Sequence, residues 1–304
     1  MTSAATASAS TANSLVYILR HFETTAAATL SSSTGQRVMR EKIPQIATQY
    51  PFLLHSIIAY SASHLKHLGM DMGNIPLTAS YHTSSALRLY SSRLRETLSS
   101  DEVDAMVAAC LLLTGLFFVD DRSVNGSWMT MRGGPHGWIS VMSGLSILLR
   151  SQSDWDRSQS FWLPLLAETT AAQTHDIMDL QYLPQELIDL CPPSSELYRD
   201  TLQILGSGMK SFGDKFHFAR LISFPSRLGS AFIHLISEQD IGALVILAYW
   251  FALMQSIPHW WCWGRVRREC LVLCCRLQTC HDSRVRAALH FPLSISEGLG
   301  SETS

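Results

Sequence analysis

The chain has 304 residues, 47% of them hydrophobic and 16% charged, with a formal net charge of −2. A chain this apolar buries a sizeable core, which excludes wholesale disorder. So near-neutral a balance also excludes a protein that grips nucleic acid by bulk positive charge, because the basic runs (Arg265, Arg267 and Arg268, then Arg284 and Arg286) are short and read as solvated helix faces.

Residues 1–13 are small and polar, with no basic stretch leading into an apolar one; they read as a disordered leader and not a secretory signal. Leu15, Ile18, Leu19 and Phe22 then mark one face of a helix, with Ser14 placed to cap it. A second helix is predicted over 36–49, kinked or divided by Pro44. Pro51 opens the next and Gly69 stops it. A long helix follows from about Pro76 to Leu98, and another, capped by Ser100 or Asp101, runs to Val119 and is apolar nearly all round, the mark of a central helix. Residues 120–134 read as a polar, Gly-rich loop and Pro135 as the start of another helix; 151–195 is Pro-broken and expected to be mobile. Helices are predicted at about 195–212, 224–237, 242–255 and 259–280, with a flexible tail over 292–304. No repeat and no linker interrupts 14–291. The expected fold is therefore all-α, a single irregular multi-helix domain with an apolar interior pocket. The two most apolar runs, Ala105–Val119 and Ile241–Ile257, are interrupted by Thr114, Gly115, Gln255 and Ser256 and fall short of the ~20 apolar residues of a spanning helix, so no membrane span is expected.

Motifs that announce chemistry are scarce. Five of the seven cysteines lie within 262–280, but there is no C-x-x-C, and Cys270 and Cys274, one helical turn apart, lack a convincing His or carboxylate partner; buried reduced thiols are expected, with no metal and no cofactor. Asp120 and Asp121 follow an apolar helix, as a magnesium-binding acidic motif does in terpene cyclases, yet the further acidic residue is missing. His55 and His136, with that acidic pair, are the residues an enzyme would use. There is no G-x-S-x-G elbow and no phosphate loop. The stronger constellation is aromatic: Tyr249 and Trp250 with Met254 on one helix, Trp260 and Trp261 opening the next, and Phe118, Trp138 and Met142 able to join them. Rigid rings with adaptable methionines suit a cavity for a large apolar ligand; the same spacing also describes an ordinary aromatic core.

PFLLHSIIAYSASHL at 51–65, followed by Tyr81, His82, Ala86 and Leu87, resembles the regulatory domain of fungal zinc-cluster transcription factors of the sterol uptake control type. Leu19-Arg20-His21-Phe22 through Leu30 looks like that domain's opening helix, Trp138 through Leu149 like its middle helix, and Ala243–Tyr249 with Trp260–Gly264 like its closing region; the likeness covers about 15–280. It implies a helical, often dimeric domain that binds sterol in its sterol-sensing members, with ligand occupancy controlling nuclear entry and transcription. The first cysteine here is Cys110, so the six-thiolate zinc cluster that reads DNA in such factors is missing from this sequence. The expectation is a non-catalytic, ligand-binding regulator in nucleus and cytoplasm, binding a sterol or terpenoid-like molecule, acting as a homodimer or a heterodimer with a DNA-binding factor, and making no direct contact with nucleic acid. The alternative is a cyclase or isomerase of a fungal secondary-metabolite pathway built on the same pocket.

Overall fold

The structure, a computed structural model, describes residues 2–30, 33–70, 75–96, 98–119, 139, 143–144, 148, 158–165, 167, 177–211, 217–257 and 259–298, without the side chains of 2–12, 33, 177–178, 217 and 219. Fourteen α-helices and short 3-10 turns account for most of these residues, and no strand occurs among them, so the fold is all-α as the 3.6-residue periodicity requires. The chain divides into two compact units, Met1–Val119 with Leu145–Leu166, and Asp120–Gly144 with Ala167–Ser304.

The first unit contains α1 (Thr2–Thr24), a 3-10 turn (Ala26–Thr29), α2 (Ser33–Glu41), α3 (Ile43–Ala47), α4 (Pro51–His67), α5 (Ile75–Arg93) and α6 (Ser100–Phe118). α1 begins at Thr2, within the small polar stretch. Pro44 does divide its helix: the break falls at Lys42, and Pro44 sits in the first turn of α3, where a missing N–H is harmless. α4 starts on Pro51 and is closed by Gly69, whose φ of +71° lets the Met70 N–H reach back to the Leu65 carbonyl at 3.1 Å. α4 packs against α1, α5 and α6, burying Leu53, Ile57, Tyr60 and Leu65. The cap of α6 lies one residue earlier than expected: the Ser99 hydroxyl accepts from the Glu102 N–H at 3.4 Å. Residues 158–165, predicted mobile, are instead fastened to α6. Trp162 is fully buried and its indole N–H donates to the Asp104 carbonyl at 2.9 Å, while Ser160 donates to the Asp104 carboxylate at 2.6 Å.

The second unit contains α7 (Gln185–Leu190), α8 (Glu196–Lys210), α9 (His217–Ser223), α10 (Ser230–Ser237), α11 (Ile241–Met254), α12 (Trp263–Leu277), α13 (Ser283–Ala288) and α14 (His290–Gly298). The single helix expected over 224–237 is shorter, because Pro225 opens a 3-10 turn and Gly229 precedes α10. α11 is the axis of this unit. Asp240 caps it, accepting from the Ala243 N–H at 2.9 Å and from the Tyr198 hydroxyl at 2.8 Å, and every residue from Gly242 to Met254 is buried. Its neighbours include α8, α12 and α14. α14 carries the chain beyond Pro292, which sits in its first turn, and buries Ser296. No single described helix is long and apolar enough to cross a membrane; α10 and α11 together have that composition but are bent by 102°.

Candidate functional site

α11 holds three of the aromatic and sulfur side chains named from sequence, Tyr249, Trp250 and Met254, all buried. Trp250 stacks on Phe224 with centroids 5.4 Å apart and 14° between planes, and its indole N–H donates to the Leu221 carbonyl at 2.8 Å. Tyr249 stacks on Phe291 of α14 at 5.1 Å, and burial pushes its phenol well above the usual range. Beyond the end of α11, His259 stacks on Trp261 at 5.7 Å, with Phe218 edge-on to both rings. Trp261 is buried and Trp260 half-buried. Burial lowers the pKa of His259, so this end of the cluster is apolar and neutral. Phe118, the last residue of α6, is buried in the first unit. Trp138 and Met142 lie outside the described residues, as do Asp120, Asp121 and His136.

Of the residues named as catalytic, His55 alone is described. It faces another imidazole: His55 of α4 and His82 of α5 have centroids 4.7 Å apart, with the Tyr81 ring 6.1 Å from His55. Desolvation, then the Arg88 charge, lowers the pKa of His55; desolvation, then His55, takes that of His82 down to about 4. A second pair joins α1 to α4, His21 Nε2 lying 3.0 Å from His64 Nδ1. Burial, then the neighbouring His21 and His67, brings His64 to about 4. Sequence spacing gave no warning of either pair, since each depends on helices meeting across the unit. Neutral imidazoles of this kind are poor bases, and no group of three His, Cys, Asp or Glu side chains arranged to hold a metal ion occurs among the described residues.

The pairs make stability pH-dependent. An unfolded histidine takes its proton near pH 6.5, whereas folded His64 and His82 resist until about pH 4. Between those values the unfolded chain binds more protons, so stability falls as pH drops from 6.5 towards 4 and is indifferent to these groups above 6.5. Urea midpoints compared at about pH 7.5 and about pH 5 are expected to show this loss, and His64→Gln with His82→Gln to shrink it.

All seven cysteines are free. Burial pushes Cys110 to about 11 and Cys262 to about 12, and burial with the nearby Asp240 pushes Cys191 to about 12, so these are inert core thiols. Cys270 and Cys274 share a hydrogen bond within α12, which lowers the first and, together with burial, raises the second.

Comparison with known proteins supplies the context. The profile of the fungal specific transcription factor domain matches residues 17–205. Sterol uptake control protein 2 of Saccharomyces cerevisiae is 26% identical over 243 residues, 75% of this chain and 26% of that protein. Its namesake in Candida albicans is 24% identical over 272 residues, 79% of this chain and 36% of the relative. A Zn(2)-C6 fungal-type transcription factor of Gibberella zeae is 20% identical over 282 residues, 84% and 56% respectively. The chain thus spans between a quarter and just over half of the length of these relatives.

Proposed function

Because this chain belongs to the fungal specific transcription factor domain family, we propose that it is a non-catalytic regulatory unit of fungal gene control that responds to an apolar small molecule of sterol or terpenoid type. The observation that carries this reading is the likeness to two sterol uptake control proteins over three quarters or more of the chain. The physical support is α11, an unbroken apolar helix whose Trp250 stacks on Phe224 and whose Tyr249 stacks on Phe291 of α14. Apolar walls with few polar groups are what such a ligand needs. The ligand-binding residues proposed are Tyr249, Trp250, Met254, Trp260 and Trp261, with Trp138 and Met142. Its action is nuclear, as a dimer, and the contact with DNA falls to a zinc-cluster segment or partner, because these 304 residues contain no six closely spaced cysteines.

Native mass spectrometry of the protein purified from fungal cells, and again after addition of sterols and terpenoids, tests the reading. A retained or acquired adduct of sterol mass is expected, weakened by Trp261→Ala in protein that keeps its helical circular dichroism. Protein that is ligand-free and ignores both classes overturns it.

A further inference from the structure

The entry to α11 gathers three helices at one end of the second unit. Asp240 accepts the hydroxyl hydrogen of Tyr198, from the first turn of α8, at 2.8 Å. Gln239, the residue before it, accepts from the guanidinium of Arg276, in the last turn of α12. α8 and α12 both pack on α11, so their near ends reach this one place from separate stretches of chain.

Apolar side chains are left uncovered here. Leu197, beside Tyr198 on α8, is 48% exposed; Ile241, the first residue of α11, is 41% exposed; Val272, one turn before Arg276, is 40% exposed. The charge around them is divided by helix. α8 brings the exposed Glu196 and Asp200, one turn apart, while its Arg199 gives its Nε–H to the Pro193 carbonyl at 3.1 Å. α12 brings the exposed Arg276, whose partner Gln239 is a neutral amide, and its own acid, Glu269, is fully buried. From Ile241 to Ser296 the sequence has six arginines against two carboxylates, Glu269 and Asp282, and Asp282 is taken by Arg284 at 2.8 Å.

An apolar patch with acid on one helix and base on the other matches a copy of itself. A two-fold axis at Ile241 lays the α8 start of each copy against the α12 end of the other, and both acid–base contacts form at once. We propose that this end of the unit is the homodimer interface, with Leu197 and Ile241 at its centre and Glu196 and Asp200 facing the partner's Arg276. This rests on the dimer proposed above and says where it forms. Exposed ion pairs alone hold little, so the covered apolar centre supplies the affinity and the charges set the orientation. A polyanion such as DNA fits the arginines but is repelled by Glu196 and Asp200, which favours the second copy over nucleic acid.

The test is analytical ultracentrifugation of the full chain, alone and as charge-reversed variants. The parent is expected to dimerise reversibly, more weakly at about 500 mM salt than at about 50 mM. Arg276→Glu alone, and Glu196→Arg with Asp200→Arg in a second protein, are each expected to raise the dimer Kd about ten-fold or more while keeping the parent's helical circular dichroism. An equimolar mixture of the two variants restores opposite charges at both contacts and is expected to dimerise as the parent does. A dimer that neither variant weakens overturns this inference and leaves the dimer reading standing; so does a mixture that stays monomeric. A parent chain that is monomeric up to about 100 μM overturns both.

Discussion

Trp250→Ala is expected to lower the unfolding free energy by about 3–5 kcal/mol, a large share of the ~5–15 kcal/mol that holds a domain together. Three losses combine. The ring leaves a hole at the centre of the second unit, its stacking on Phe224 disappears, and the Leu221 carbonyl loses the indole N–H that satisfies it at 2.8 Å. Trp250→Phe separates these effects: it keeps most of the stacking and leaves the carbonyl unpaired, for an expected loss of about 1–3 kcal/mol. Urea denaturation of the ligand-free protein gives both numbers. A loss under about 1 kcal/mol for Trp250→Ala would remove the argument from its packing on Phe224 and its bond to Leu221.

Gly206→Ala is the second large effect, and its sign is opposite to helix propensity. In the interior of a helix, alanine in place of glycine normally stabilises by about 1 kcal/mol. At this position the added Cβ collides with the carbonyl oxygen of Asp179 and lies 2.9 Å from its carbon. Those are backbone atoms of the 177–182 turn, which cannot rotate aside as a side chain can. α8 and the turn must separate, and the Lys210–Asp179 ion pair, 2.8 Å in the native packing, lies across the same contact. Overpacking of this kind costs about 1–3 kcal/mol, enough to outweigh the propensity gain. Gly208→Ala, two residues on, is the control: its Cβ meets the Leu221 Cδ2 methyl at 3.1 Å, the end of a flexible side chain. Thermal melting is expected to fall by several degrees for Gly206→Ala and to change little for Gly208→Ala. Equal shifts in the two would remove the argument from the Asp179 carbonyl.

What could be read from the chain depended on whether the determinant was local. Pro51, Gly69 and the division at Pro44 are punctuation marks, and each acts within a turn of its own position. The long apolar runs of α6 and α11 announced buried helices because few polar residues offered them a wet face. Where position depends on distant contact, spacing was silent. Asp104 looks like an ordinary charge on a helix until Ser160 and Trp162 arrive from more than fifty residues away. His21 and His64 are 43 residues apart in sequence and share a hydrogen bond. Gln255 looks in sequence like a mere interruption of an apolar run; that its amide donates to Ser296 depends on a helix placed where fraying was expected. For the aromatic residues, type and burial were legible, but spacing along one helix does not encode which surfaces meet.

A helix wrapped by neighbours over its whole circumference, as α11 is from Gly242 to Met254, leaves evolution no spare face to work on. Any substitution there disturbs the centre of the unit before it alters what the protein recognises. New preferences for a guest must instead be written at the borders, at half-buried positions such as Trp260 and Phe218, where shape can change without opening a hole. Descendants of this architecture can therefore diverge in taste while inheriting the same axis.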